Sequence, residues 1–246
     1  MLASLKLELR TDKDNLSVLQ SSNLQGVIMQ KIDTNYAERL HVSSLNPYSQ
    51  YLRTGDETIW YINALTNEAY EEIIQPLMNP EFRAFRIEKK ELDVSIVSRE
   101  LVMKDESELL SEFYEKPMER QISIEFLTPT SFKSNGNYII FPELRLIYQS
   151  LMNKYSAASS ERQMFDEETL EQLVQNSFIS NYRLKSVRFP MEGIFVPGFQ
   201  GHITIRMKGP ETLSRYIRML CEFGEYSGVG IKTSIGMGAM KIRRKL

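Results

Sequence analysis

The order of strand and helix patterns along the chain constrains its fold more than any other feature of the sequence. Residues 2–10 alternate apolar and polar side chains, which predicts a strand. Apolar residues then recur at spacings of three, four or a multiple of four, which predicts one apolar helical stripe that ends near His41. They are Leu24, Val27, Ile28, Ile32 and Leu40. A strand over 58–65, a helix over 67–78 and one or two strands over 82–103, broken near 88–91, are predicted next. The first half is therefore predicted to run β-α-β-α-β-β.

A second set of patterns begins with a predicted strand over 121–127. Asn135-Gly136 favours a tight turn between two short strands. Later patterns predict helices after Pro142, over 166–180 and over 210–223, and strands over 182–191, 202–207 and 239–243. Both halves therefore show the split β-α-β order of ferredoxin-like folds, the scaffold that RNA-recognition modules also use. We predict an α+β protein of two tandem ferredoxin-like (RRM-like) domains, residues 1–118 and 119–246.

The single cysteine, Cys221, restricts the covalent chemistry of this chain of 246 residues. It excludes an intramolecular disulfide and a zinc site built from cysteines, which predicts a reducing, cytoplasmic location. Its apolar helical neighbours favour a place in the core rather than a nucleophilic role. Residues 1–10 lack the continuous apolar stretch of a secretory signal, and no later stretch has membrane length, so no targeting segment or membrane span is predicted.

Charge is distributed unevenly along the chain. The formal net charge is −2, yet residues 182–246 contain twelve Lys or Arg against four Glu. Acidic residues concentrate in two runs, 105–119 and 161–171, which are typical of solvated helical faces. We therefore expect any anionic partner to bind the C-terminal half.

The segment 224–238 reads GEYSGVGIKTSIGMG and contains five glycines. Glycine allows positive φ angles and close approach of backbone N–H groups to an anion, so such a loop can hold phosphate. It matches neither a nucleotide-binding P-loop nor a dinucleotide fingerprint, which disfavours ATP and NAD, and a merely tight connection is the alternative. Lys232 lies inside the segment, and Lys241 and Arg243 follow on the predicted terminal strand, where they add positive charge.

Three segments of the chain resemble the RAMP superfamily of CRISPR proteins, and specifically its repeat-cleaving endoribonucleases. The glycine-rich segment 224–238 is similar to the signature of that superfamily. Residues 128–142, TPTSFKSNGNYIIFP, are similar to the start of the second domain in those nucleases. Residues 36–51, YAERLHVSSLNPYSQY, resemble the N-terminal region where they keep a catalytic histidine. The RNA-binding residues that the resemblance implies are Lys133, Gly224, Gly228, Gly230, Lys232, Gly236, Gly238, Lys241 and Arg243.

This resemblance implies an enzyme that recognises CRISPR repeat RNA (pre-crRNA) and cleaves it into guide RNAs without a metal or another cofactor. A ribose 2′-OH attacks the neighbouring phosphate and leaves a 2′,3′-cyclic phosphate and a 5′-OH. The protein then has to align the reacting atoms, move two protons and stabilise the negative charge of the phosphorane. The sequence shows no cluster of Asp, Glu and His at metal-ligand spacing.

The resemblance also implies that His41 is catalytic, because an imidazole exchanges protons near neutral pH. His202, the other histidine, is assigned a structural or RNA-facing role. Tyr36, with Tyr48 and Tyr51, is a candidate to orient the nucleophile or stack on a base, and packing in the core is the alternative. Unlike some relatives, this sequence has no lysine within ten residues after His41, so its electrostatic partner is left open between Arg53 and Lys31.

Two other functions fit the same sequence. A non-catalytic RAMP subunit of a CRISPR effector complex would share the fold and the glycine-rich loop, and a general RNA-recognition protein would share the fold. The chain is expected to act as a monomer or a homodimer, either alone or with an effector complex.

Overall fold

The computed structural model describes residues 1–12, 16–115, 117, 119–159, 163–191 and 193–243. The first half contains β1 Leu2–Thr11, α1 Ser21–Lys31, α2 Thr34–Val42, β2 Tyr48–Arg53, β3 Thr58–Ala64, the helical segment α3 at 67–78, β4 Ala84–Ile87, β5 Leu92–Lys104 and α4 Glu106–Glu115. The second half contains β6 Gln121–Thr130, β7 Phe132–Ser134, β8 Asn137–Ile139, α5 Leu144–Ala158, α6 Glu167–Gln175, β9 Ser177–Met191, β10 Ile194–Met207, α7 Glu211–Ser227 and β11 Met240–Ile242. Short 3-10 turns lie at Val18–Gln20, Glu88–Lys90 and Thr233–Ile235.

The first half forms a five-stranded antiparallel sheet in the order β2-β3-β1-β5-β4. The alternation predicted over residues 2–10 is confirmed, since Leu5 and Leu7 of the central strand β1 are fully buried while the residues between them are less so. Trp60 of β3 and Leu24 of α1 complete this core from the neighbouring strand and the covering helix. The sheet therefore has one face covered by helices.

Two predictions for the first half are corrected. The helical stripe over 24–40 is two helices, because Ile32 ends α1 in an extended conformation and the Asp33 carboxylate caps α2 by accepting from the backbone N–H groups of residues 35 and 36. Strand β2 was not predicted, since residues 48–52 are all buried and show no alternation. The observed order is β-α-α-β-β-α-β-β. The predicted break between β4 and β5 is confirmed by the turn Glu88–Lys90.

The second half forms a four-stranded antiparallel sheet in the order β11-β6-β10-β9. Counted within this half, the strand order is 4-1-3-2, the arrangement of a ferredoxin-like fold. Apolar residues on one face of β6 and β10 pack against α5, α6 and α7, and the buried side chain of Cys221 is part of this core. The turn at Asn135-Gly136 is confirmed, with φ angles of 48° and 81°.

Element boundaries in the second half differ from the predicted ones. Helix α6 ends at Gln175 and β9 begins at Ser177, so β9 and β10 form a hairpin longer than predicted. Helix α7 was predicted to end near residue 223, but it continues through the buried Gly224 and ends at Ser227. Both acidic runs contain the expected helices, α4 and α6, while residues 116, 118, 161 and 162 lie outside the described residues.

Two separate hydrophobic cores support the predicted division into domains. One contains buried residues between 3 and 94, and the other contains buried residues between 122 and 240. We propose the boundary between α4 and β6, as predicted at 118 and 119, although residue 118 itself lies outside the described residues. Among the helices of the described residues, none has the length and apolar character needed to span a membrane.

The two halves contact each other through the glycine-rich loop. The Asn46 side-chain amide donates to Ser234 Oγ at 3.0 Å, and Ser49 Oγ donates to the backbone carbonyl of Tyr226. Ala239 packs with Tyr51 and Tyr61 of the first sheet. These contacts place the loop beside the start of α1 and the edge strand β2.

Candidate active site and nucleic-acid interface

His41 lies in the last turn of α2, and its exposed side chain borders a cavity of about 430 Å³. We call this the His41 cavity. Its walls come from α1, from the β4–β5 connection, from the end of β9 and from the glycine-rich loop. The lining residues are Ser22, Asn23, Gln25, Gly26, Val27, Met29, Gln30, His41, Arg86, Ile87, Glu88, Lys89, Met191 and Ile235. A space of this size fits a small polar group or nucleotide next to the imidazole.

Two cations and the acid Glu88 line the His41 cavity from the β4–β5 connection. Arg86 and Lys89 belong to the β4–β5 hairpin, and the Arg86 guanidinium also lies 3.0 Å from an Asp93 carboxylate oxygen. Sequence reasoning missed both, because they are more than forty residues from His41 in the chain. The only available signal was the pair of lysines in the predicted break near 88–91. These residues can supply positive charge where a phosphate beside His41 would lie.

Arg53 and Lys31, the two cations predicted to assist His41, do not line its cavity. The Arg53 guanidinium lies over the ring of Tyr61, 5.7 Å from its centroid, at the end of β2. The Lys31 ammonium lies 5.0 Å from the centroid of Phe82. Neither cation therefore lines the His41 cavity, and the catalytic role of Arg53 stays a prediction that these contacts do not support.

Tyr36 is a core residue. Its side chain is 2% exposed and packs in the first core, and its buried hydroxyl has no hydrogen-bond partner in the part of the chain that the structure describes. Burial, followed by the charges of Glu68 and Glu72, raises the pKa of this phenol well above its ordinary value. The burial of this hydroxyl favours the alternative of packing in the core, and a catalytic Tyr36 stays a prediction that its contacts do not support.

Tyr48 and Tyr51 are buried as well. The ring of Tyr51 stacks on Tyr61 with 4.6 Å between centroids. All three tyrosines, Tyr36, Tyr48 and Tyr51, therefore fit the alternative of packing in the core.

The glycine-rich loop is packed rather than open. The backbone N–H of Gly228 donates to the Gly224 carbonyl, that of Gly230 to Ser150 Oγ, that of Gly236 to the Thr233 carbonyl and that of Gly238 to the Pro129 carbonyl. Gly224 itself is buried within α7 against Leu151 and Met240. The glycine amides are thus already bonded within the protein. These bonds favour the alternative of a tight connection, and RNA contacts by the glycines stay a prediction.

Gly236 shows what the glycines do instead. Its φ is +108°, and a Cβ atom there would lie 2.2 Å from the Cβ of Ser21, at the start of α1. Only glycine allows both the backbone angle and this close approach. The loop therefore packs the second half of the protein against α1. It also forms one wall of the His41 cavity. The Lys232 side chain, with φ of +60° at its backbone, stays a predicted RNA contact.

A cationic surface lies on the face of the second sheet away from its helices. An open groove of about 610 Å³ there is lined by Arg183, Lys185, His202 and Arg243, with Glu125 as the acid among them. Arg243 Nε lies 4.0 Å from a Glu125 carboxylate oxygen, and the Lys241 ammonium lies 5.5 Å from the ring centroid of Tyr61. We call this surface the cationic sheet face. Exposed sheet faces of this kind suit single-stranded RNA.

The remaining predicted contact, Lys133, is exposed on the short strand β7. RNA contacts of Lys133, Lys241 and Arg243 stay predictions. Among the described residues, no group of three or more His, Cys, Asp or Glu side chains is placed to hold a metal ion.

Comparison with known proteins identifies the family. Residues 124–240, which include the segment 128–142 and the whole glycine-rich segment 224–238, match the family model described as CRISPR-associated endoribonuclease Cas6. A protein of that name from Mycobacterium tuberculosis is 38% identical over 223 residues, which are 90% of this chain and 71% of the relative. The Cas6 endoribonuclease of Streptococcus thermophilus is 36% identical over 230 residues, covering 89% of this chain and 90% of the relative. This chain belongs to the Cas6 family of CRISPR-associated endoribonucleases.

The fold of the family is shared over the whole length. A product complex of Thermus thermophilus Cas6 aligns with a TM-score of 0.77 at 22% identity, covering 99% of this chain and 100% of the other. The predicted α+β class with tandem ferredoxin-like domains is confirmed, and so is the resemblance to repeat-cleaving endoribonucleases.

Proposed function

We propose that this chain cleaves CRISPR repeat RNA by attack of a ribose 2′-OH on the adjacent phosphate, releasing guide RNAs. The observation that carries the proposal is an exposed His41 that lines the same cavity as Arg86 and Lys89, in a member of an endoribonuclease family. An imidazole there takes a proton from the 2′-OH or gives one to the departing 5′-oxygen. Products with a 2′,3′-cyclic phosphate and a 5′-OH follow from this chemistry.

Arg86 and Lys89 replace Arg53 in this proposal as the groups that stabilise negative charge on the phosphorane. They line the same cavity as His41, together with the acid Glu88, so a phosphate bound there is close to positive charge and to a proton carrier. Arg86 shares its charge with Asp93, which holds the guanidinium at the cavity edge. The reaction would need no metal ion, because the attacking oxygen belongs to the RNA.

The cationic sheet face, the exposed Lys133 and the half-buried Lys232 are the proposed RNA-binding surface. A relative solved as a product complex shares this fold. Phosphate contacts by lysine and arginine position RNA without reading its sequence. Association with a CRISPR effector complex, a monomeric or homodimeric state and a cytoplasmic location remain predictions.

Incubating the purified chain with a CRISPR repeat RNA in excess EDTA tests this function. We expect cleavage at one position within the repeat, and unchanged cleavage when EDTA is replaced by magnesium. Binding without cleavage in both buffers would instead identify a non-catalytic RAMP subunit. Equal binding of unrelated RNA would indicate a general RNA-recognition protein.

A further inference from the structure

A lysine lies inside the protein directly beneath the glycine-rich loop. Lys154, on α5, is 7% exposed, and its ammonium donates to the backbone carbonyls of Ser227 and Gly228 and to Thr233 Oγ1 at 3.3, 3.2 and 3.1 Å. Burial lowers the pKa of this amine to about 7. None of the described carboxylates forms an ion pair with it. Such a group is costly to bury, so its contacts call for a function.

The three acceptors explain how a cation can occupy this position. Ser227 and Gly228 end α7, where the last carbonyl groups have no partner within the helix and form its negative end. Thr233 belongs to the loop that follows. Lys154 therefore ties the end of a long helix to the short turn Thr233–Ile235.

That turn forms part of the His41 cavity wall. Ser234 accepts from the Asn46 side chain of the first half, and Ile235 lines the cavity with residues of α1. The turn is thus held from inside by Lys154 and from outside by the first half of the protein. A shift at Thr233 would move Ile235, two residues away, within the cavity wall.

We propose that Lys154 is a positioning residue for RNA cleavage, which holds the turn Thr233–Ile235 at the wall of the His41 cavity through Ser227, Gly228 and Thr233. The proposal rests on the function proposed above, but its structural part concerns the loop alone. Small displacements of groups that position a substrate have large effects on rate, so removing the ammonium should slow the chemical step more than it weakens RNA binding.

Two substitutions that keep most of the side-chain volume, and their combination, test the proposal. Lys154→Met removes the ammonium and keeps an unbranched apolar side chain as far as Cε, and Thr233→Val replaces the acceptor hydroxyl with a methyl group. We expect faster amide hydrogen exchange over residues 228–238 in the RNA-free variants, and a single-turnover rate at saturating repeat RNA about ten- to a hundredfold lower in Lys154→Met. The double variant should be no slower than Lys154→Met, because both changes break the same contact.

Ile147→Val is the matched control, since it removes buried volume from α5 and leaves all three contacts of Lys154 in place. It should leave loop exchange and the saturated rate unchanged. Wild-type exchange and rate in both Lys154→Met and Thr233→Val would overturn the proposal. Should Lys154→Met fail to fold, Thr233→Val decides by loop exchange alone. A wild-type chain that cleaves no repeat RNA would contradict the proposed function, while loop exchange would still decide the role of Lys154.

Discussion

Replacing His41 by alanine will slow cleavage of repeat RNA by about 10²- to 10⁴-fold, the contribution typical of a positioned proton donor or acceptor. RNA affinity will change little, because the imidazole is one exposed group among many lining residues and cations. The fold will be retained, since an exposed side chain contributes little to stability. Single-turnover cleavage at saturating RNA, with a separate binding titration, measures the two effects independently.

Glu38→Ala is the matched control for this variant. Glu38 is exposed on the same helix α2 and does not line the His41 cavity. Its replacement should leave the single-turnover rate at the wild-type value. A His41→Ala protein that cleaves as fast as Glu38→Ala would remove His41 from the mechanism.

Gly230→Ala will lower the free energy of unfolding by about 3 kcal/mol, through left-handed backbone strain and a steric clash. The φ of Gly230 is +77°, and a Cβ atom would lie 2.3 Å from the carbonyl oxygen of Ser131. The backbone N–H of Ile231 donates to that same oxygen at 3.0 Å, so relieving the clash would break a contact between the loop and the segment after β6. Urea unfolding measures the loss.

Gly136→Ala separates the two causes. Its φ is +81°, but no atom lies within 4 Å of a Cβ added there, so only the backbone strain remains and about 1 kcal/mol is expected. Equal losses in Gly230→Ala and Gly136→Ala would show that the close approach to Ser131 contributes nothing.

Residues that alternate or recur along one element were predictable from the sequence. Strand β1 places one side of its alternation in the core and was found, whereas β2 is buried along its length and shows no period. Tyr36 lies four residues from both Ile32 and Leu40 of the predicted stripe, so helical spacing alone indicated its burial. His41 lies just beside that stripe and is exposed. Helical spacing therefore separated the buried Tyr36 from the exposed His41, whereas the chemistry of the two side chains did not.

Contacts between distant parts of the chain were not predictable. Arg86 and Lys89 line the same cavity as His41 because the edge strand β4 packs beside α1, from which it is distant in the chain. Lys154 and Thr233 are 79 residues apart in the chain. The composition of the glycine-rich segment made it recognisable in the sequence. Its contacts are with α1, α5 and β6, which are distant in the chain, so no local pattern predicts them.

A repeat RNA with one 2′-deoxyribose immediately before the cleaved bond tests the proposed chemistry most directly. In EDTA, we expect the all-ribose RNA to be cut, leaving a 2′,3′-cyclic phosphate, and the substituted RNA to bind with similar affinity and remain intact at that bond. Cleavage of the substituted RNA at the normal rate would show that the attacking oxygen comes from elsewhere, and would contradict a reaction in which the protein contributes only His41, nearby cations and alignment.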